Sequence, residues 1–349
     1  MFRKVSHKDF IEFNRIFSLL LLSKISITTA FELIIKQIKN ENFKQILNKI
    51  LKDVKAGNSL SKSFSKYPNV FSEIYLANLK VAEETGNIAQ VLNEYTNYLE
   101  KFQILKRKIS QAMRYPLLVI LVSVGVVFFM LYFLIPTFES LFVSLQTQIP
   151  PLTKFILDMS NFIVDKSEIL FLILVVAILS IYYISRTEYF RVRIFDRAII
   201  KIPLFSSLFK KNILARFSLS MSILIQNGIS LLDALKISKN ITRNSIFKNE
   251  INLIEKKLVK GETFSVNVGK SKFFDITFSK LLVAGEESAE LEKVFSLISD
   301  YYSNEFDYKL ENITSLIEPF LILIVGLVVA IILISMYIPM FEIINYLGV

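Results

Sequence analysis

The sequence predicts an all-α membrane protein, with two homologous cytoplasmic helical bundles of about six helices each and three transmembrane helices. Three observations carry that prediction. The chain repeats itself: Pro116 returns as Pro319 and Pro136 as Pro339, a shift of 203, while Gly57 returns as Gly261, a shift of 204. Three long apolar runs carry no charge. The stretches between them show the stripe of amphipathic helices, with no useful alternation of the kind a strand needs.

The apolar runs are Leu117–Ile135, Ile169–Ile184 and Phe320–Ile338, of 19, 16 and 19 residues. A bilayer core takes roughly 20 apolar residues as a helix, with about 17 as the usual lower limit. The first and third qualify outright; the second needs its flanks or a tilt. A mean hydropathy of +0.49 suits a membrane protein with large soluble parts. Lysines and arginines number 19 in residues 1–115, 2 in 137–168, 20 in 186–318 and none after 319. Positive charge stays on the cytoplasmic side. The predicted order is therefore a cytoplasmic bundle over 1–115, a span over 116–136 and an extracytoplasmic loop over 137–168. A span over 169–185, a second cytoplasmic bundle over 186–318, a span over 319–339 and a short outer tail over 340–349 follow. Arg186, Arg191, Arg193 and Arg197 flank the middle span on its cytoplasmic side. No apolar signal-peptide region precedes the first bundle. The net charge of +10 fits this bias and an anionic lipid surface, so direct contact with nucleic acid is disfavoured.

Within the first bundle Phe43, Ile46, Leu47, Ile50, Leu51 and Val54 form one apolar face of a helix. Phe247, Ile251, Ile254 and Leu258 repeat that face in the second. Gly57 and Gly261 end these helices. The next helices are expected from about Val70 and Phe273, followed by the acidic motifs Ala82-Glu83-Glu84-Thr85-Gly86-Asn87 and Gly285-Glu286-Glu287-Ser288-Ala289-Glu290. Long helices then run from Ile88 to Met113 and from Leu291 to Ile317, into the membrane.

Paired carboxylates suggest three roles for Glu83, Glu84, Glu286 and Glu287. They could offset the positive end of the following helix as its acidic first turn, meet a basic partner, or hold a divalent cation through oxygen ligands. No other metal or cofactor site is expected: the chain has no cysteine and one histidine, His7. Gly269-Lys270-Ser271 ends like a phosphate loop, but Phe264 stands where the first glycine belongs, which leaves a polar helix connection. Pro116, Pro136, Pro319 and Pro339 bracket the spans and read either as terminators or as hinges.

The residues now resemble a known family. Asn227-Gly228-Ile229-Ser230-Leu231-Leu232-Asp233-Ala234-Leu235, Val283-Ala284-Gly285-Glu286-Glu287-Ser288, Glu318-Pro319 and Tyr337-Ile338-Pro339-Met340-Phe341 are similar to motifs of the type II secretion F-protein and type IV pilus inner-membrane platform family. Tyr115-Pro116, Pro136 with Phe138, and Pro150-Pro151-Leu152-Thr153 fit the same pattern. Lys24 departs from it where the second copy has Gly228, Ala82 where it has Gly285, and Ala289 where the first copy has Gly86. At these departures the turn is either built differently or holds an L-residue in a glycine conformation. The resemblance implies a non-enzymatic bacterial inner-membrane platform without cofactors. It implies as partners a hexameric assembly ATPase, pilins or pseudopilins, other inner-membrane assembly proteins, membrane lipid and further copies of the chain. The subsystem stays open between secretion, pili and a competence pseudopilus for DNA uptake. A DNA-binding membrane protein and a transporter subunit are the competing classes. The charge-free spans argue against the transporter.

Overall fold

A computed structural model describes residues 5–144, 149–184, 203–242 and 244–347, and the described residues are helical throughout their regular structure. The chain divides into two compact units, Met1–Lys108 with Ala198–Asp307, and Ile109–Arg197 with Tyr308–Val349.

The first unit holds both bundles. In the first bundle, α1 (His7–Leu22), α2 (Ile27–Gln37), α3 (Glu41–Lys55), α4 (Leu60–Ser65) and α5 (Glu73–Thr85) are followed by α6 (Ile88–Ala112). Each of the first five starts on a side-chain cap: Ser6, Ser26, Asn40, Ser59 and Ser72 accept from the backbone N–H three residues on. These caps set the boundaries. The helix expected from Val70 starts only at Glu73, because Ser72 caps it; its repeat starts at Ile276, behind Asp275.

The apolar stripe lies inside as expected: Phe43, Leu47, Ile50 and Leu51 are buried, as are Phe247, Ile251 and Ile254. Rings fill the centre. Phe13 contacts Phe17, Phe31, Phe43 and Phe64, and its repeat Phe217 contacts Phe247, Phe274 and Phe278. The copies also exchange volume. Leu60 and Phe64 become Phe264 and Val268, one large and one smaller residue in either order, all buried. Volume-conserving exchange is what a close-packed core tolerates.

After the middle of the chain come α11 (Pro203–Gln226), α12 (Leu231–Ser238), a 3-10 turn, α13 (Ser245–Val259), α14 (Phe264–Gly269), α15 (Ile276–Glu287) and α16 (Leu291–Leu347). Gly269-Lys270-Ser271 closes the short α14, which makes it a helix end with no strand before it.

The second unit comprises α7 (Arg114–Phe129), a π-helical turn (Met130–Leu134), α8 (Ile135–Ser144), α9 (Pro151–Asp165), α10 (Ser167–Ile184) and the end of α16. By length and composition, Ile88–Phe142 and Leu291–Pro339 contain stretches that can cross a membrane. Residues 137–168, expected as a loop, are largely helical in α8 and α9. The arginines at 186–197 lie outside the described residues.

The turns show why glycine recurs. After α3, the Gly57 N–H bonds the Val54 carbonyl at 3.0 Å and the Asn58 N–H the Asp53 carbonyl at 3.1 Å. Gly261 and Glu262 repeat this pairing after α13. This closure needs a left-handed residue, and Gly57, Gly86, Gly228 and Gly261 have φ of 86°, 71°, 84° and 85°. Lys24 and Ala289 hold the same conformation with φ of 62° and 55°. The turns survive the departure from glycine, with the strain of an L-residue. Ala82 and Gly285, by contrast, lie inside helices rather than in a turn.

Replacing Lys24 or Ala289 by glycine is expected to stabilise the protein by about 1 kcal/mol, and Gly57→Ala to destabilise it by a similar amount. Thermal unfolding of the purified full chain in detergent reads both signs.

Candidate functional site

The acidic pairs lie in the last turns of α5 and α15, not in the first turns of the helices that follow. One member of each pair points into its bundle. The Glu83 carboxylate accepts from the backbone N–H of Leu60 and of Ser61, the latter at 2.9 Å, and from the Ser61 hydroxyl. Glu286 accepts from the N–H groups of Phe264 and Ser265, each at 3.0 Å. Both therefore cap the short helices α4 and α14 from across the bundle. An anion at a helix start satisfies N–H groups that have no partner within the helix and meets the positive end of its dipole. For α14 this carboxylate stands in for the local cap, because Thr263 makes no side-chain cap of its own. The other members, Glu84 and Glu287, are exposed, and Glu84 lies 4.0 Å from Lys80. Among the described residues, no three His, Cys, Asp or Glu side chains gather as metal ligands. Gly285 serves the same corner differently. A Cβ there would come within 3.0 Å of Val294, so glycine permits close packing of α15 on α16.

The two bundles meet inside the first unit. The Asn227 amide donates to Asn78 at 2.6 Å, and the Asn240 amide to Glu73 at 3.0 Å. The Arg216 guanidinium lies 4.0 Å above the Phe102 ring and donates to the Ile241 carbonyl at 3.0 Å. Lys101 and Lys108 pair with Asp300 and Asp307. A cleft of about 570 Å³ opens beside this contact, between Tyr95, Tyr98, Phe102 and Arg216. Burial holds the Tyr95 and Tyr98 phenols above their ordinary value, so both stay protonated.

In the second unit two exit prolines create a common problem. Proline has no N–H, so the carbonyl that should receive it is left open. At Pro339 that carbonyl belongs to Ser335, four residues back. At Pro136 the π-turn moves the bond one residue further, as the Ile135 N–H bonding to Met130 shows, and opens the Leu131 carbonyl. Both are filled by α9: the Thr153 hydroxyl donates to the Ser335 carbonyl, and the Ser160 hydroxyl to the Leu131 carbonyl. Thr153 and Ser160 are two turns apart on one buried face, with Ile156 and Leu157 between them packed on Met130, Leu131, Ile135, Ile332 and Met336. At the entries, Tyr115 donates to Glu318 at 2.8 Å.

The model of the type II secretion system (T2SS), protein F, matches residues 13–136 and 217–339 of the chain. The chain belongs to this family. It is 29% identical over 343 residues to the type IV pilus assembly protein PilC of Thermus thermophilus, covering 98% of this chain and 84% of that protein. It is 28% identical to the PilC of Pseudomonas aeruginosa, covering 99% of this chain and 92% of that protein. Identity to the type II secretion system protein F of the same organism is 24%, covering 99% and 85%. The family is one of inner-membrane platform proteins in secretion and pilus machinery, a structural role rather than an enzyme class.

Each family match ends on an exit proline, Pro136 or Pro339. The helix that fills their open carbonyls, α9, lies in the unrepeated stretch between the matches. Neither Pro136 nor Pro339 terminates its helix: α8 continues past the first, and α16 past both Pro319 and Pro339. At Pro116 the helix breaks for the single residue Met113, which still bonds Ile109 on one side and Leu117 on the other. The sequence reading missed Thr153 as a hydroxyl donor and Ser160 altogether. Their signal is a Thr and a Ser seven residues apart on the inner face of an amphipathic helix.

Glu83→Ala and Glu286→Ala are each expected to destabilise the chain by about 1–2 kcal/mol, and Glu84→Ala and Glu287→Ala by less than about 0.5 kcal/mol. Thermal unfolding in detergent separates the two classes. Thr153→Val is expected to cost about 1 kcal/mol, and less when combined with Pro339→Ala, which returns an N–H to the Ser335 carbonyl. The double-mutant cycle on unfolding midpoints checks this coupling.

Proposed function

We propose that this chain is the platform of a type IV pilus-like or type II secretion-like assembly machine. In this reading both bundles lie in the cytoplasm, together with the N-terminus, and the chain crosses the inner membrane three times. The bundles engage a hexameric assembly ATPase. The membrane unit passes the resulting movement to pilins or pseudopilins, which are lifted out of the bilayer beside other inner-membrane assembly proteins. The same platform would serve a competence pseudopilus.

One observation supports coupling above all. α16 runs from Leu291 to Leu347 without interruption, from the second bundle through the last apolar stretch. A displacement at its bundle end has no flexible joint in which to dissipate. The first copy keeps nearly the same path, since the break at Met113 retains hydrogen bonds on both sides. The apolar stretches expose a continuous lipid-type surface, with Leu117, Leu121 and Val124 exposed on α7 and Phe320, Leu323 and Leu327 on α16. Arguing against a transporter, the described parts of these stretches carry no charged group.

Inserting a flexible Gly-Ser segment at Gln111 and at Thr314 is expected to abolish pilus or pseudopilus output while membrane levels of the protein stay normal. Unchanged output with both insertions present would overturn the coupling.

A further inference from the structure

The two bundles are copies of one fold, yet they meet through different faces. The second presents α11 through Arg216, the residue after it, Asn227, and the 3-10 turn after α12 through Asn240; the first presents α5 and α6, through Phe102, Asn78 and Glu73. Beside this contact one edge of α16 pairs with α6, Asp300 with Lys101 and Asp307 with Lys108. A two-fold contact would also press α1 and α2 of the first bundle against α15 and α16 of the second. The corresponding pairs would be Ser23 with Leu281 and Lys36 with Ile276. Among the described residues the second set is open. Leu19 is 54% exposed where its repeat Ile223 is 4% exposed, and Tyr301 is 42% exposed where Tyr98 is 6% exposed. Ile276 is 73% exposed where Glu73 is bonded to Asn240, and Leu33 is exposed where Ile237 packs against the core.

A contact between unlike faces leaves one face of each kind unused, and it closes only by repetition around a ring or continues as an open array. Here the unused faces carry exposed apolar or aromatic side chains at Leu19 and Tyr301, whose counterparts Ile223 and Tyr98 are buried, and at Ile276, whose counterpart Glu73 is bonded across the joint. We propose that the α1–α2 face of one chain docks on the α15–α16 face of a second copy, repeating between molecules the contact that joins the two bundles within one. The occupant is specified by continuity: the established contact already shows which surface of this fold covers which. The contact differs at one point. Glu12 stands where Arg216 is and Glu305 where Phe102 is, which replaces a cation over a ring by two carboxylates. The intermolecular contact is therefore weaker, and it forms at the local density of a membrane.

The chain has no cysteine, so introduced thiols report alone. Full-length Ser23→Cys and Leu281→Cys variants, carrying different tags, are co-expressed, and their membranes are treated with a short bismaleimide. The pair Lys36→Cys and Ile276→Cys is treated likewise. The expected result is a heterodimer carrying both tags for each pair. That product should fall several-fold when Leu19→Asp is added, and it should be absent when Val259→Cys, exposed elsewhere on the second bundle, replaces Leu281→Cys. Absence of the mixed-tag product, or its formation equally with Val259→Cys, overturns the proposal. So does crosslinking only between identical variants, which marks a two-fold contact. Pilus output is not part of this readout, so the test stands apart from the coupling reading.

Discussion

The structure depends on finding partners for backbone polar groups that helix geometry leaves open. Every helix starts with free N–H groups, and a bundle built of short helices has many starts. α4 and α14 have six residues each, too short to be stable alone. Glu83 and Glu286 hold them by reaching across from the end of another helix. That carboxylate ties the corner where α4 and α5, or α14 and α15, meet, and thereby places Phe64 or Phe264 in the core. The acidic motif is thus a structural device before it is anything else. Its outward members, Glu84 and Glu287, are the part left available for a partner.

The same constraint is sharper in the membrane unit, where lipid supplies no donor for an open carbonyl. The repeat places a proline at each exit and so opens a carbonyl twice. One helix closes both from a single face, Thr153 at the second exit and Ser160 two turns on at the first. α9 is therefore a strap across the two exits, and the prolines create the sites it grips. The π-turn before Pro136 fits this arrangement, because it selects which carbonyl is open.

Much of this was legible in the residues and some was not. The repeat, the apolar stretches and the stripe from Phe43 to Val54 follow from periodicity, since burial selects residue type at fixed intervals. Gly57 and Gly261 were legible because the left-handed turn excludes most side chains. The role of Glu83 was not. A carboxylate next to a helix end looks like a cap for the helix that follows in sequence, whereas its true target lies 22 residues upstream at Ser61. Thr153 and Ser160 were hidden for a related reason. Their partners are backbone carbonyls opened by prolines elsewhere in the chain, so no local pattern marks them. The exit prolines could be read either as terminators or as hinges for want of the same information. At each exit a hydroxyl takes the carbonyl that the proline leaves open, and the helix continues past it.

Divergence between the copies now has a physical direction. The two copies share the same faces, and one pair of unlike faces forms the joint within the chain. On that joint Arg216 sits over the Phe102 ring and Asn227 bonds Asn78. The counterpart positions hold Glu12, Ser23 and Leu281, and around them Leu19, Leu33, Ile276 and Tyr301 are apolar or aromatic and exposed. Solvent alone does not favour such residues in a cluster at matching positions of two faces. A surface that only faced water would be free to lose them. Their presence at the counterparts of a joint is the property expected of a joint used a second time, between chains.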